Sequence, residues 1–440
     1  MKTNVLAFAA VAGLVLCAGM LVAGPLSPPG GPVASTYKTL TELEPRIAIN
    51  GTNTPGGASA AVYVISQPGS YYLPGNISAA SGKSAILITA NNVTLDLNGF
   101  TISGVAGATQ ALVQITGDGS NVNDPRGNVV IKNGTIRSGG GDGVNASTNA
   151  ASRVRIDNVI AANNAGDGFD VSFWSSFKDC MAFSNGAIGF RSVDNMVASG
   201  CVARANGQDE WSVGNNASIT NCIADNASGS GYGFKMGSGN TLTNCSSTGS
   251  TLDAGFRANS AGNTFNACAA TSNGGSGFSS DAGSNAAIGC SAVGNGAQGF
   301  SLGISSTITS CTASNNGQHG ILAFTGSTIS NNACSNNTID GIRVSGPANA
   351  TNNNCVNNAG AGILATGASG ARIEGNTVVA NGTGISVSGG AFVARNIARS
   401  NGAGGANDFV SSGTNAIGQI FDVTAGATLT TGNSFANFKY

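Results

Sequence analysis

Apolar positions along this 440-residue chain fall in short, widely spaced groups and not in long runs. Residues 86–104 (ILITANNVTLDLNGFTISG) and 129–137 (VVIKNGTIR) alternate apolar with polar residues, as half-buried strands do. Further along, a large apolar residue recurs, usually after a glycine: Phe169, Phe190, Trp211, Phe234, Phe256, Phe278, Phe300, Ile321, Ile342, Ile363 and Ile385, at intervals of 21 to 23 residues. Two more series keep the same beat. Cysteine stands at 180, 201, 222, 245, 268, 290, 311, 334 and 355. Asparagine stands five residues before most of the large apolar positions, at 164, 185, 206, 273, 295, 316, 337 and 358.

A sustained period of this length is the mark of a stacked repeat, and stability then grows with the stack while its ends need caps. Leucine-rich repeats share the length, but their Leu-x-x-Leu-x-Leu frame is missing. The pattern predicts an all-β, right-handed parallel β-helix of about fourteen coils, each a few short strands joined by turns. Successive coils lie about 4.8 Å apart, so that phenylalanine stacks on phenylalanine and asparagine amides bond along a column. The less regular stretches before Phe169 read as the first coils. The expected layout is a signal peptide over residues 1–23, a linker and N-terminal cap over 24–60, repeats over 61–401 and a C-terminal coil or cap over 402–440. Within the cap, Tyr37–Ile47 (YKTLTELEPRI) has the one helical period in the chain and predicts a short helix.

Composition sharpens this picture. The chain has 67 glycines and only 9% charged residues, with few of the leucines, lysines and glutamates that build helices. A formal charge of −1 leaves no electrostatic footprint for nucleic acid. Lys2 followed by the apolar run Val5–Ala23 reads as an export signal, placing the mature protein outside the cell or on its surface. That run is nearly long enough to span a bilayer; no other stretch suggests a membrane partner.

The phrases NNVTLDLNGFTI and VVIKNGTIR and the recurring N-x-x-x-G-F resemble the right-handed β-helix repeats of the pectate-lyase-like superfamily, over about residues 60 to 400. The resemblance implies the fold and a polysaccharide or cell-surface glycan partner; it does not fix an activity, because this architecture hosts lyases, glycosidases, epimerases, tailspikes and adhesins. Polygalacturonase-like members use Gly-His-Gly, Asn-Thr-Asp, Asp-Asp and Arg-x-Lys segments. Here there is Gln318-His319-Gly320, with no Asp-Asp and no Arg-x-Lys. Hydrolysis needs two carboxyl groups flanking the scissile bond, and between Ala282 and Ser400 only Asp340 and Glu374 are acidic.

His319, the sole histidine, lies two residues before the ladder residue Ile321, at a position that varies between coils and is therefore expected to face solvent at a turn. Asp340 holds the same position one coil on, so the two form a candidate pair. Charge gathers earlier in the stack. The residue after each ladder position runs Asp170, Arg191, Ser212, Lys235, Arg257, then Ser279, Ser301 and Leu322. Asp170, Arg191, Lys235 and Arg257 are the candidate catalytic column, on the lyase-like reading that an unpaired cation removes the proton beside a uronate carbonyl. Asp167, Trp174, Asp209 and Tyr232 are the candidate substrate-binding residues, and calcium is the cation that would bridge carboxylates of protein and sugar. The alternative is a solvated, salt-bridged face that binds glycan without catalysis. Trp211, in the ladder, is expected in the core. Trp174, at a turn, is expected either to be exposed or to pack with Phe173 and Phe177 under a loop. The cysteines read as one inward column of buried free thiols, since stacked Cβ atoms lie too far apart for disulfides. No Cys-x-x-Cys spacing points to structural zinc.

Overall fold

The fold was examined in a computed structural model, which describes residues 44–57, 60–105, 109–116, 127–147, 152–229, 231–423 and 432–440. The chain divides into residues 1–46 and Ile47–Tyr440. In the first unit Arg46 grips Glu44 through two hydrogen bonds, of 2.8 and 2.7 Å, and the guanidinium holds the carboxyl down at about 2. The expected signal peptide, the linker and most of the expected helical cap lie outside the described residues. The part of the cap that is described, Glu44–Ile47, holds no helix, and the only helix among the described residues is the 3₁₀ turn Ala403–Gly405. None of the described helices is long and apolar enough to cross a membrane.

Residues Ile47–Tyr440 form a parallel β-solenoid of sixteen turns, two more than expected, and strands beyond the regular ladder such as Ala61–Ile65 and Phe409–Ser412 belong to the stack. Most coils have three short strands, while Val129–Arg137 and Arg155–Ala162 each run through the second and third faces as one. The first face is a 16-stranded parallel sheet running from Ala61–Ile65 to Phe409–Ser412, and it includes Phe169–Val171 and Phe190–Ser192. The second and third faces, typified by Ser176–Lys178 and Met181–Phe183, join through a corner into one 32-stranded sheet. Register is in phase throughout: Phe169 pairs with Phe190, Phe190 with Trp211 and Trp211 with Phe234. The rings from Phe169 to Phe300 therefore stack inside the solenoid, with centroids 4.1 to 5.6 Å apart and interplanar angles of 20° or less. Trp211 is wholly buried in this ladder.

Corners are turned by single residues with positive φ, such as Trp174 (54°), Asp179 (51°) and Ser184 (53°) in one coil. Asparagine supplies many of them, since its short polar side chain tolerates the left-handed region. Behind each corner an inward side chain must satisfy the amide and carbonyl groups that the bend pulls out of the ladder. At the corner before the first face this is an asparagine column. Asn316 Oδ1 accepts from the backbone N–H (3.1 Å) and amide Nδ2 (3.1 Å) of Asn295, and Asn316 Nδ2 donates to Ala292 O (3.2 Å) and Asn337 Oδ1 (3.0 Å). The glycine before each ladder residue belongs to this device: a Cβ on Gly320 would stand 2.7 Å from the Asn337 amide nitrogen.

The cysteines occupy two columns, not one. Cys180 to Cys311 fill the corner between the second and third faces, where Cys180 Sγ donates to Ile156 O and Lys178 O, both at 3.2 Å. The column then passes to asparagine: the Cys311 N–H donates to Asn332 Oδ1 (2.8 Å), and Asn332, Asn353, Asn376, Asn396 and Asn437 continue it. Cys334 instead pairs with Ala313 and Cys355, inside the third face. The longer step from Cys311 to Cys334 hides this change of column. All nine are buried and free, as their parallel stacking requires.

Replacing Asn316 by alanine strands two donors of Asn295 and the Ala292 carbonyl on the preceding coil. We expect a loss of about 3 kcal/mol or more, at about 1–3 kcal/mol per buried unsatisfied group. The outward Thr328→Ala is expected to stay within about 0.5 kcal/mol of the parent. Chemical denaturation of the two variants checks the contrast.

Candidate functional site

The outward residue at the middle of each first-face strand forms one column. Register pairs Asn145 with Asp170, Asp170 with Arg191, Arg191 with Ser212, Ser212 with Lys235, and Lys235 with Arg257. Five successive coils thus carry Asp170 to Arg257 over roughly 19 Å, at about 4.8 Å per coil. Beyond them the column turns neutral at Ser279, Ser301 and Leu322, and charge returns at Arg343.

A second column runs beside the first, at the turn two residues before each strand centre's apolar partner. Its aspartates have a backbone duty. Asp142 Oδ1 accepts from the Asp167 N–H (2.7 Å), Asp167 Oδ1 from Ile188 N–H (2.8 Å), Asp209 Oδ1 from Tyr232 N–H (2.9 Å) and Asp340 Oδ1 from Ala361 N–H (2.8 Å). The second oxygen meets a cation of the next coil: Asp167 Oδ2 lies 2.8 Å from Arg191 Nε, and Asp209 Oδ2 lies 3.6 Å from Lys235 Nζ. Burial pushes the Asp167 and Asp209 carboxyls up, opposed by these amides and cations. Lys235 Nζ also stands 5.7 Å over the Tyr232 ring, and Arg257 pairs with Asp281 and donates to Ser279 Oγ (3.1 Å). All three candidate cations are therefore engaged, so the unpaired cation expected for proton abstraction is missing from this column.

Asp170 is the perturbed group. Burial first, then the Asp167 charge, push its carboxyl up to about 6, with Arg191 opposing. Asp142, which the irregular spacing of the early coils hid from sequence reading, adds to the upward push. Calcium does not fit here as a resident ion. Asp142 Oδ2 accepts from Asn145 (2.7 Å), Asp167 already serves an amide and an arginine, and no group of three or more His, Cys, Asp or Glu among the described residues is arranged to hold a metal. Trp174 sits past the other end of the strand from Asp167, 53% exposed, its ring 5.8 Å from Phe173.

The comparisons with known proteins agree with this architecture. The family described as "Right handed beta helix region" matches residues 182–339 and 298–438, together more than half of the chain. The chain belongs to this right-handed β-helix family. No curated protein matches the β-helix in sequence. Among solved structures it is similar to the Azotobacter vinelandii mannuronan C-5 epimerase AlgE4 A-module at 15% identity, covering 74% of this chain and 91% of that one, with a TM-score of 0.38. Pectate lyase Pel9A gives 15% identity, 54% and 76% coverage and a TM-score of 0.35. Tailspike protein 3 of bacteriophage CBA120 gives 12%, 97% and 71%, and 0.41. At these values the likenesses carry no argument about what this β-helix binds.

His319 departs from expectation. It is buried, 7% exposed, because its turn position lays the side chain along the stack under the next coil and not outward. Ile188, Asp209 and Ala254 at the same position are buried too. His319 and Asp340 do meet, with Nδ1 3.2 Å from Oδ2, but that oxygen has no hydrogen bond, and the Asp340 N–H points at Nδ1 from 3.4 Å. The imidazole thus stands at the place from which aspartates on other coils accept a backbone amide. A side chain buried between coils has no access to a polysaccharide.

Glu210, which precedes the ladder residue Trp211, is wholly buried in the core. Its coil lacks the following asparagine, replaced by the small Ala227. The glycine that elsewhere precedes the ladder residue is free to be a glutamate here, and both carboxylate oxygens cap Asn206, one of them 3.1 Å from its N–H. Burial pushes the Glu210 carboxyl from 4.5 up to about 7, against the Asn206 bonds. The folded state then keeps a proton that the unfolded chain releases near 4.5, so stability falls as pH rises from about 4.5 to 7. Glu210→Gln is expected to gain thermal midpoint relative to the parent across that window; a difference constant from pH 4.5 to 8 would contradict the assignment.

Proposed function

We propose that this is an exported β-helix scaffold that binds an acidic polysaccharide along its first face without transforming it. The observation that carries the reading is the column Asp170, Arg191, Lys235 and Arg257, which gathers charge on five successive coils, with Arg343 further along the same column. A linear polyanion laid along the solenoid axis meets guanidinium and ammonium groups one or two coils apart, and the exposed indole of Trp174 offers a stacking surface for a sugar ring near one end. The apolar run Val5–Ala23 supports export.

The lyase reading finds less support. A guanidinium stays protonated in proteins, and Arg191, Lys235 and Arg257 are each paired to an aspartate. A ligand carboxylate has to compete for these cations, and Asp170 stands among them. Its charge repels the ligand above about pH 6 and is lost below it. Affinity for oligogalacturonate, measured by calorimetry, is therefore expected to rise as pH falls from 7.5 to 5, and Asp170→Asn is expected to flatten the rise. Arg191→Ala is expected to weaken binding about tenfold, the equivalent of one charge-assisted hydrogen bond. Release of unsaturated product from a polyuronate, lost in Arg191→Ala, would overturn the non-catalytic reading.

A further inference from the structure

On the second face, three successive coils hold small uncharged residues at the outward positions: Thr307, Thr328 and Asn349 in one column, Thr309, Ser330 and Thr351 in the other. The next coil breaks both columns, with Arg372 following Asn349 and Glu374 following Thr351. One coil later Arg395 occupies the corner that Asn352 and Gly375 turn before it, and it does so at φ 59°. An arginine held in the left-handed region costs conformational energy that an asparagine or glycine at that corner avoids. Three departures from the repeat meet at one point.

They enclose a hollow of about 380 Å³ lined by Thr351, Asn352, Arg372, Glu374, Gly375 and Arg395. Glu374 is nearly buried and receives both guanidinium groups: Arg372 on Oε2, and Arg395 Nη1 on Oε1 at 2.8 Å. Arg395 Nε donates to Ser434 O (2.8 Å), and its guanidinium lies 5.2 Å over the Phe435 ring. Two cations against one carboxylate leave one positive charge. Both arginine side chains are about half exposed, and each keeps guanidinium N–H groups without a partner among the described residues. Glu374 thus fixes two forks at the rim of a hollow that one further anion would complete. Gly375 turns the corner beside the hollow at φ 70°, where a Cβ would collide with the Asn352 side chain.

We infer that Arg372 and Arg395, oriented by Glu374, form a second anion-binding site that takes one oxyanion group, a carboxylate or a sulfate ester, carried by a glycan. Planar guanidinium forks match either group through paired hydrogen bonds. The site lies on a different face from the Asp170–Arg257 column, and its argument uses none of those residues.

A local readout keeps the two sites apart. In ¹⁵N spectra of the full chain, the Nε resonances of Arg372 and Arg395 are assigned by their loss in Arg372→Lys and Arg395→Lys. They are then followed during titration with galacturonate, with its neutral methyl ester and with inorganic sulfate. Saturable shifts of both resonances with galacturonate, or with sulfate alone, support the site and say which group it prefers; the ester is expected to leave them unmoved. No saturable shift with either anion, or equal shifts with the ester, would overturn it. Arg191 and Arg257 resonances report the first face separately in the same spectra. Arg372→Gln, which leaves the Ser434 and Phe435 contacts in place, is expected to retain the parent's circular dichroism while losing the shift at Arg395. A retained Arg395 shift in that variant would also overturn the paired site.

Discussion

The structure depends on how each coil satisfies its backbone where it bends. Straight strands satisfy themselves by pairing with the coils on either side. A corner cannot, and the left-handed residues that make the bend leave amide and carbonyl groups facing inward. The asparagine columns answer this with one side chain per coil, each amide closing all its bonds to the coils before and after it. Register follows, because a slipped coil would break every amide contact together with the ring stack. The ends obey the same demand: Asp408 accepts from Asn401, and Asn437 from Asn396, so the last coils close both columns with an oxygen.

Seen this way, irregularities in the repeat become informative. Where Ala227 removes the asparagine, Glu210 arrives from a glycine position to provide the missing oxygens. Where the corner thiols end, Asn332 takes over the amide of Cys311. Arg372, Glu374 and Arg395 break the rule in the other direction. They put charge on positions that the three coils before them keep neutral, and they do so around one hollow, which is why a ligand is the better account of them.

Much of the architecture was legible in the sequence because in-register stacking writes identical residues at a fixed interval. Phe169 to Ile385 were sufficient to give the period, the inward ladder and the solenoid. What stayed hidden depended on direction within a turn. The variability at the His319 position suggested exposure, but a side chain laid along the stack is covered by the next coil whatever its identity. The cysteine series looked single because Cys334 follows Cys311 by nearly one period, although it lies inside the third face. Asp142 was missed because its coil is longer than the repeat. The charged column was readable as a column; its pairing with Asp167, Asp209 and Asp281 was not, since those partners sit at other positions of neighbouring coils.

The account makes the first-face column the place where an acidic glycan lies. A crystal structure of the protein soaked with a galacturonate oligosaccharide tests this most directly. The account predicts sugar carboxylates within hydrogen-bond distance of Arg191, Lys235 and Arg257, with the chain direction along the solenoid axis. Ordered sugar elsewhere on the solenoid, with that column bare, would contradict it.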